Sequence, residues 1–194
     1  PPRLAPQQVV IIPLLRDSSR NDEVMQACHD LASRLRDVDF AREPLRVRID
    51  ERDMKPAEKR WSWIKKGVPM VVEIGPRDID DGAVMVHRRD ALDSGGTVQK
   101  LNDFVNSVAA NFEQVQASMF ETAAAFRAEM TTEGIKSFDE MKTFFESDQG
   151  FVIAKWAGTA RDEERLKELS ITIRCLPYRQ SGTEGTCILT GMNS

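Results

Sequence analysis

Seven consecutive residues, Val9-Val10-Ile11-Ile12-Pro13-Leu14-Leu15, carry no polar side chain. A run this short and this uniformly apolar reads as a β-strand buried on both faces, so its sheet must be covered on either side. Helices to do the covering follow at once. Val24, Cys28, Leu31, Leu35 and Val38 recur at spacings of four, three, four and three, one face of an amphipathic helix for which Ser19 or Asn21 offers an N-cap. Leu45-Arg46-Val47-Arg48-Ile49-Asp50 alternates apolar and charged residues, the pattern of a half-exposed strand. Residues 56–66 read as a helix that opens on Pro56, suited to a first helical turn, and stops at Gly67. Val68–Ile74 and Ala83–His87 read as further strands. The order β-α-β-α-β-β predicts an α/β domain built on a mixed sheet.

Asp93-Ser94-Gly95-Gly96 breaks the chain. Beyond it Val98, Leu101, Val105, Val108, Phe112, Val115, Met119, Ala123 and Phe126 form a stripe of threes and fours, which predicts a helix of about thirty residues with a heptad-like seam. That seam suits either packing on its own protein or a coiled-coil dimer. Ser137-Phe138-Asp139-Glu140 has capping-box form and opens a helix carrying Met141, Phe144 and Phe145. Phe151–Ala154 reads as a strand, Thr159–Leu169 as another capped helix, and Ile171–Cys175 and Cys187–Leu189 as short strands. The chain thus divides into a mixed-sheet domain over residues 1–95 and, over 96–194, a long helix with a small α/β unit.

The chain has 194 residues, 41% of them hydrophobic and 30% charged, values of a globular chain with one large core or two compact domains. No apolar run approaches the roughly 20 residues of a membrane-spanning helix, and no signal-peptide core is present at the N-terminus. Three cysteines (Cys28, Cys175, Cys187) are too few for a disulfide scaffold and suggest a reducing compartment. A net charge of −4 argues against indiscriminate coating of nucleic acid. Phosphate-loop, dinucleotide-binding and H-E-x-x-H zinc motifs are absent. The two histidines, His29 in a helix and His87 near a strand end, read as structural or solvent-facing, and nothing supports a Cys–His nucleophile pair. Cys187-Ile188-Leu189-Thr190 has the shape of a C-x-x-C without its second thiolate. Cys175 lies twelve residues away with no histidine nearby, which leaves a four-coordinate zinc short of donors.

The basic segment is more informative. Nine basic residues (Arg42, Arg46, Arg48, Arg52, Lys55, Lys59, Arg60, Lys65, Lys66) stand against five acidic ones between 42 and 66, with Trp61 and Trp63 among them. Cations interleaved with aromatics suit unpaired RNA, whose phosphates need counter-charge and whose bases need stacking partners. A solvated helix face with one core tryptophan is the competing reading. Arg77 follows a strand at a turn forced by Gly75-Pro76, where a guanidinium can bond bidentately to a guanine edge. An ordinary turn capped by Asp78 has the same sequence signature.

The segments "PPRLAPQQVVIIPL", "RIDERDMKP", "KKGVPMVVEIGPRD" and "FVIAKWAGTA…ITIRCLP…GTCILTG" together resemble, in order and spacing, prolyl-tRNA synthetases of the archaeal/eukaryotic-like type, a class II family. The resemblance runs from Pro1 to about Gly191. It implies the C-terminal portion of such an enzyme, an anticodon-binding domain followed by a C-terminal domain, with the catalytic domain outside this chain. The intact enzyme, by this resemblance a cytoplasmic homodimer, would use ATP and magnesium to form prolyl-adenylate and then charge tRNA(Pro). No catalytic residue and no cofactor is expected in this chain. The implied role here is reading the anticodon of tRNA(Pro), whose two guanines identify it. Arg77 and Asp78 fall where the family reads guanine edges, with Lys59 on the neighbouring helix, and Arg52 and Lys66 would be phosphate counter-charges.

Two departures bear on that role. Ile64 stands where the family usually has an acidic residue, and Val71 where it has a basic one. The family's four zinc-cysteine positions correspond to Ala157, Asp162, Cys187 and Thr190. The resemblance therefore implies a zinc-free domain, expected to be held by Phe151, Ile153, Trp156, Leu166, Ile171 and Ile173. An alternative from another class is a non-catalytic, synthetase-derived module that serves assembly through the long helix.

Overall fold

A computed structural model describes residues 1–15, 19–147, 149–178, 182 and 184–193. Two compact units divide the chain, Pro1–Thr122 and Ala123–Ser194.

The first unit is built on a five-stranded mixed sheet, in the order β4-β1-β5-β6-β7. β1 (Val9–Pro13) runs parallel to both β4 (Val47–Ile49) and β5 (Met70–Ile74). β6 (Ala83–Arg88) and β7 (Thr97–Lys100) complete it as antiparallel strands. Asp39–Phe40 (β2) and Glu43–Pro44 (β3) form a separate small hairpin. The apolar opening run behaves as its composition requires, because all five residues of β1 are buried. Val9 and Ile11 join a core with α1 (Asn21–Arg36) and the start of the long helix α4 (Leu101–Glu129). Val10 and Ile12 pack instead with Trp63, Val68 and Val71, under α2 (Pro56–Lys65). A short helix α3 (Pro76–Asp80) joins β5 to β6. The mixed α/β architecture, with its long helix, is thus the one the sequence predicts.

Differences are local. The N-cap of α1 is Arg20, which makes no side-chain cap bond; its guanidinium instead grips Glu23 and Asp80. Val98 does not start the long helix. It pairs with Met85 across β7 and β6 and is 61% exposed. A four-residue strand that runs straight into a helix cannot be told from a helix start by a three-and-four stripe alone. On α4 Phe104, Val105, Val108, Phe112 and Val115 are buried, whereas Phe126 is 63% exposed.

The second unit centres on Met141, Leu166 and Ile188, with Trp156 and Ile171 packed beside them. β8 (Thr131–Glu133) and β9 (Phe151–Ile153) pair in parallel. In front of α5 (Phe138–Ser147) the Glu140 backbone N–H donates to Ser137 Oγ, while the Glu140 carboxylate reaches the backbone N–H of Lys136. The Ser137 half of the predicted capping box is therefore formed, and only the reciprocal bond falls one residue earlier, on Lys136. Thr159 caps α6 (Ala160–Glu163) through Asp162, and a 3-10 turn, Glu164–Leu169, follows. Residues 171–175 and 187–189 are not strands, and only an isolated bridge joins Thr186 to Asn193. Phe151, Ile153 and Ile173 are exposed rather than core. A strand of three residues in a two-stranded ribbon leaves its outer face to solvent.

Candidate nucleic-acid interface

Because β4, β1 and β5 are parallel, their carboxyl ends leave the sheet at one edge. The turn carrying Asp50 and Arg52 emerges from β4, and the segment carrying Arg77 from β5. Two strand spacings separate them, roughly 10 Å. Ligands of open α/β sheets bind outside this edge.

Gly75 and Pro76 set the position of Arg77. Gly75 passes Leu14 so closely that an added Cβ would lie 3.3 Å from the Leu14 Cβ. Pro76 occupies the first helical position, and Asp78 Oδ2 accepts the Gly75 backbone N–H at 2.7 Å. Arg77 is thereby held on a capped turn with its side chain exposed. The Asp78 carboxylate is the cap, so the turn read from the sequence is the one formed.

Around Asp50 the other residues gather. Asp50 is 2% exposed and accepts four hydrogen bonds. Arg52 donates its backbone N–H at 3.2 Å, Nε at 2.8 Å and Nη2 at 2.6 Å, and Trp63 donates Nε1–H at 2.7 Å. Burial alone would raise the Asp50 carboxyl, but the bonds from Arg52 and Trp63 outweigh it and hold it at about 2. Arg52 also donates to Ser62 Oγ at 2.8 Å. Lys59 is 5% exposed, and its Nζ donates to the Asp50 backbone carbonyl at 3.1 Å. Its ammonium lies beneath the cluster, bracing the Asp50 turn. Lys66 Nζ is 4.5 Å from the centre of the Trp63 ring, with the Arg52 and Arg48 guanidinium carbons at 5.3 and 5.5 Å, cation–π distances.

The structure thus brings Arg52, Lys59 and Lys66 together and sets Arg77 and Asp78 two strands away on the same edge. Of the two tryptophans in the basic segment, Trp63 is 7% exposed and Trp61 is 56% exposed. Sequence reasoning did not single out Arg48 and Asp50. The alternation that predicts a strand there puts both on the same face, toward α2, and is the signal that could have found them.

Farther along β5, Glu73 is paired with Arg60 at 2.6 Å, and His87 Nε2 lies 3.4 Å from its other oxygen without a hydrogen bond. Burial would raise the Glu73 carboxyl, yet His87 and Arg60 bring it below its ordinary value. Val71 is 1% exposed and belongs to the core beside Trp63. Ile64 is half-buried, and its carbonyl accepts from Arg89 at 2.7 Å.

In the second unit, the residues at the four zinc-cysteine positions do not fit the metal. Ala157 has no donor, the Asp162 carboxylate is taken up by Thr159, and Thr190 Oγ1 accepts from the Met192 backbone. Cys187 alone offers a thiol. Burial would raise it, but hydrogen bonds from Thr190 and from the backbone of Ala157, Thr190 and Leu189 bring it to about 7. Among the described residues no group of three His, Cys, Asp or Glu side chains could hold a metal ion. No helix among them is long and apolar enough to cross a membrane.

Comparison with known proteins identifies relatives along the whole chain. Residues 8–111 match the family model described as "Anticodon binding domain", and residues 138–194 match "Prolyl-tRNA synthetase, C-terminal". The chain is 42% identical over 98% of its length to a proline–tRNA ligase of Protochlamydia amoebophila, of which the aligned part is 39%. It is 38% identical, over its whole length, to proline–tRNA ligase 2 of Anaeromyxobacter dehalogenans, covering 40% of that protein. A proline–tRNA ligase of Akkermansia muciniphila is 37% identical over 98% of the chain and is 38% covered. The chain therefore spans about two fifths of the length of these bacterial relatives.

Proposed function

The chain belongs to the family of anticodon-binding domains, and from that premise we propose that it reads the anticodon of tRNA(Pro) within a proline–tRNA ligase. One observation carries the reading: parallel strands deliver Arg77 and the Asp50–Arg52 turn to a single sheet edge. Arg77 donates to the O6/N7 edge of a guanine, the commonest specific base contact. Asp78 holds Arg77 in place through the Gly75 cap and presents its remaining oxygen toward the guanine N1–H and N2–H₂ edge. Arg52 and Lys66 supply counter-charge to phosphates, and Lys59 steadies the turn that carries Arg52.

In the parent enzyme this recognition would select the tRNA to which an activated proline is transferred. Proline, ATP with magnesium, prolyl-adenylate and a cytoplasmic homodimer belong to that wider reading. So does the archaeal/eukaryotic-like type, which rests on the sequence motifs alone. The second unit is proposed to need no zinc.

The test is binding to an anticodon stem-loop bearing the two guanines, beside one with both replaced, at fixed salt, because the phosphate contribution varies steeply with ionic strength. Preference for the guanine loop is the expected result. Equal binding of both would favour the second reading, a synthetase-derived assembly module. Its support is that Ile64 and Val71 put apolar side chains where base contacts are expected, with Val71 wholly in the core.

A further inference from the structure

Resting on the RNA-binding reading above, we propose that the Trp63 platform is a seat for one backbone phosphate group, gripped by Arg48 and Lys66, with Asp50 as the residue that positions Arg52 beside it. Charge accounting points there. Arg48, Arg52 and Lys66 all lie within 5.5 Å of the centre of one indole ring, and buried Lys59 lies against the same turn. The carboxylate at the centre of the cluster, Asp50, has both oxygens filled, each accepting two hydrogen bonds from Arg52 and Trp63.

Arg48 and Lys66 form no ion pair among the described residues and are exposed. Like charges gathered on one ring repel one another, and the indole quadrupole offsets only part of that. A phosphodiester oxygen placed between them supplies the missing charge. Arg48 reaches the position because it sits on edge strand β4, directly opposite Val10, on the face that α2 covers. Lys66 reaches it from the C-cap of α2. Asp50 spends its charge on fixing the Arg52 fork and the indole edge, so the seat is assembled before RNA arrives.

The experiment measures binding of the chain to a uridine decamer, which has no guanine, over a range of KCl concentrations. The double variant Arg48→Gln, Lys66→Gln should lower the slope of log K against log salt by about 0.7, the single-strand value for one phosphate. Asp50→Asn should weaken binding several-fold at an unchanged slope. This result discriminates, because removing a negative charge would by itself strengthen binding to RNA. Thermal unfolding checks that each variant is folded; if Asp50→Asn is not, the double variant decides alone.

An unchanged slope in the double variant, or failure of the wild-type chain to bind the decamer, would overturn the seat. Loss of guanine preference in the stem-loop pair, with the decamer result intact, would instead defeat the anticodon reading and leave the seat standing.

Discussion

The indole N–H of Trp63 donates to Asp50 Oδ2 at 2.7 Å, and both side chains are almost wholly removed from solvent. This bond ties α2 to the end of β4. It converts a tryptophan in a basic segment from a free stacking surface into a fixed floor for cations.

Asp50→Asn is expected to cost about 2 kcal/mol of unfolding free energy at neutral pH, measured by urea denaturation. The native carboxyl is held at about 2 against an ordinary 3.8, and each pKa unit is worth about 1.4 kcal/mol. Because the folded value is the lower one, this stability is fully present above the unfolded pKa and is lost as pH falls from about 4 through about 2. The wild-type chain should therefore lose stability across that window more steeply than the variant. Parallel curves for the two proteins would show that Asp50 is not the group responsible.

Arg77→Ala should weaken binding of the guanine-bearing stem-loop by about 1–3 kcal/mol, the worth of a bidentate base contact. Its stability should stay within about 0.5 kcal/mol of wild type, as for other exposed positions. Asp78→Ala should differ by doing both. Loss of the bond to the Gly75 N–H removes a helix cap, worth about 1 kcal/mol, and releases the turn that holds Arg77. Calorimetric binding and thermal unfolding of the two variants separate reading from positioning.

Much of the first unit was legible in the sequence because its main elements carry apolar patterns of their own. The β1 run is too short for a buried helix, the α1 stripe has the helical period, and Pro56 and Gly67 bound α2 as their backbone preferences dictate. Thr97–Lys100 was not legible, since a four-residue edge strand running straight into a helix leaves no gap in the apolar pattern. Lys59 illustrates a different limit. The resemblance implies an RNA contact for it, but whether a lysine faces solvent or a backbone carbonyl is decided by the chain on the other side, here the Asp50 turn. The second unit was harder still. Its buried centre is three side chains drawn from distant segments, and of its two short strands only the apolar Phe151–Ile153 declared itself, whereas the polar Thr131–Glu133 did not.

Gly150→Ala should unfold or severely loosen the second unit. Gly150 has φ +144°, and an added Cβ would overlap the Met130 carbonyl oxygen. That same oxygen accepts the Phe151 backbone N–H at 2.7 Å, the bond that starts the pairing of β8 with β9. Strained backbone of this kind costs about 1–3 kcal/mol, and the overlap adds to it. Hydrogen exchange should show loss of protection across Thr131–Glu133 and Phe151–Ile153, while the amides of β1 and β5 keep theirs. Retained protection at Phe151 would mean that the ribbon tolerates the displacement.

A structural zinc site contributes folding energy outright, so a domain built on one unfolds when a chelator removes the ion. Here Cys187 is the one thiol among the four corresponding positions, and its sulfur is served by the Thr190 hydroxyl and nearby backbone N–H groups instead. Excess chelator should therefore leave the unfolding midpoint of the second unit unchanged, and elemental analysis of the purified chain should find no stoichiometric zinc. Cys187→Ala should destabilise this unit as loss of a small buried side chain does, by about 1 kcal/mol, with or without added zinc. A midpoint that drops on chelation and recovers when zinc is restored would show that donors from other positions complete the site.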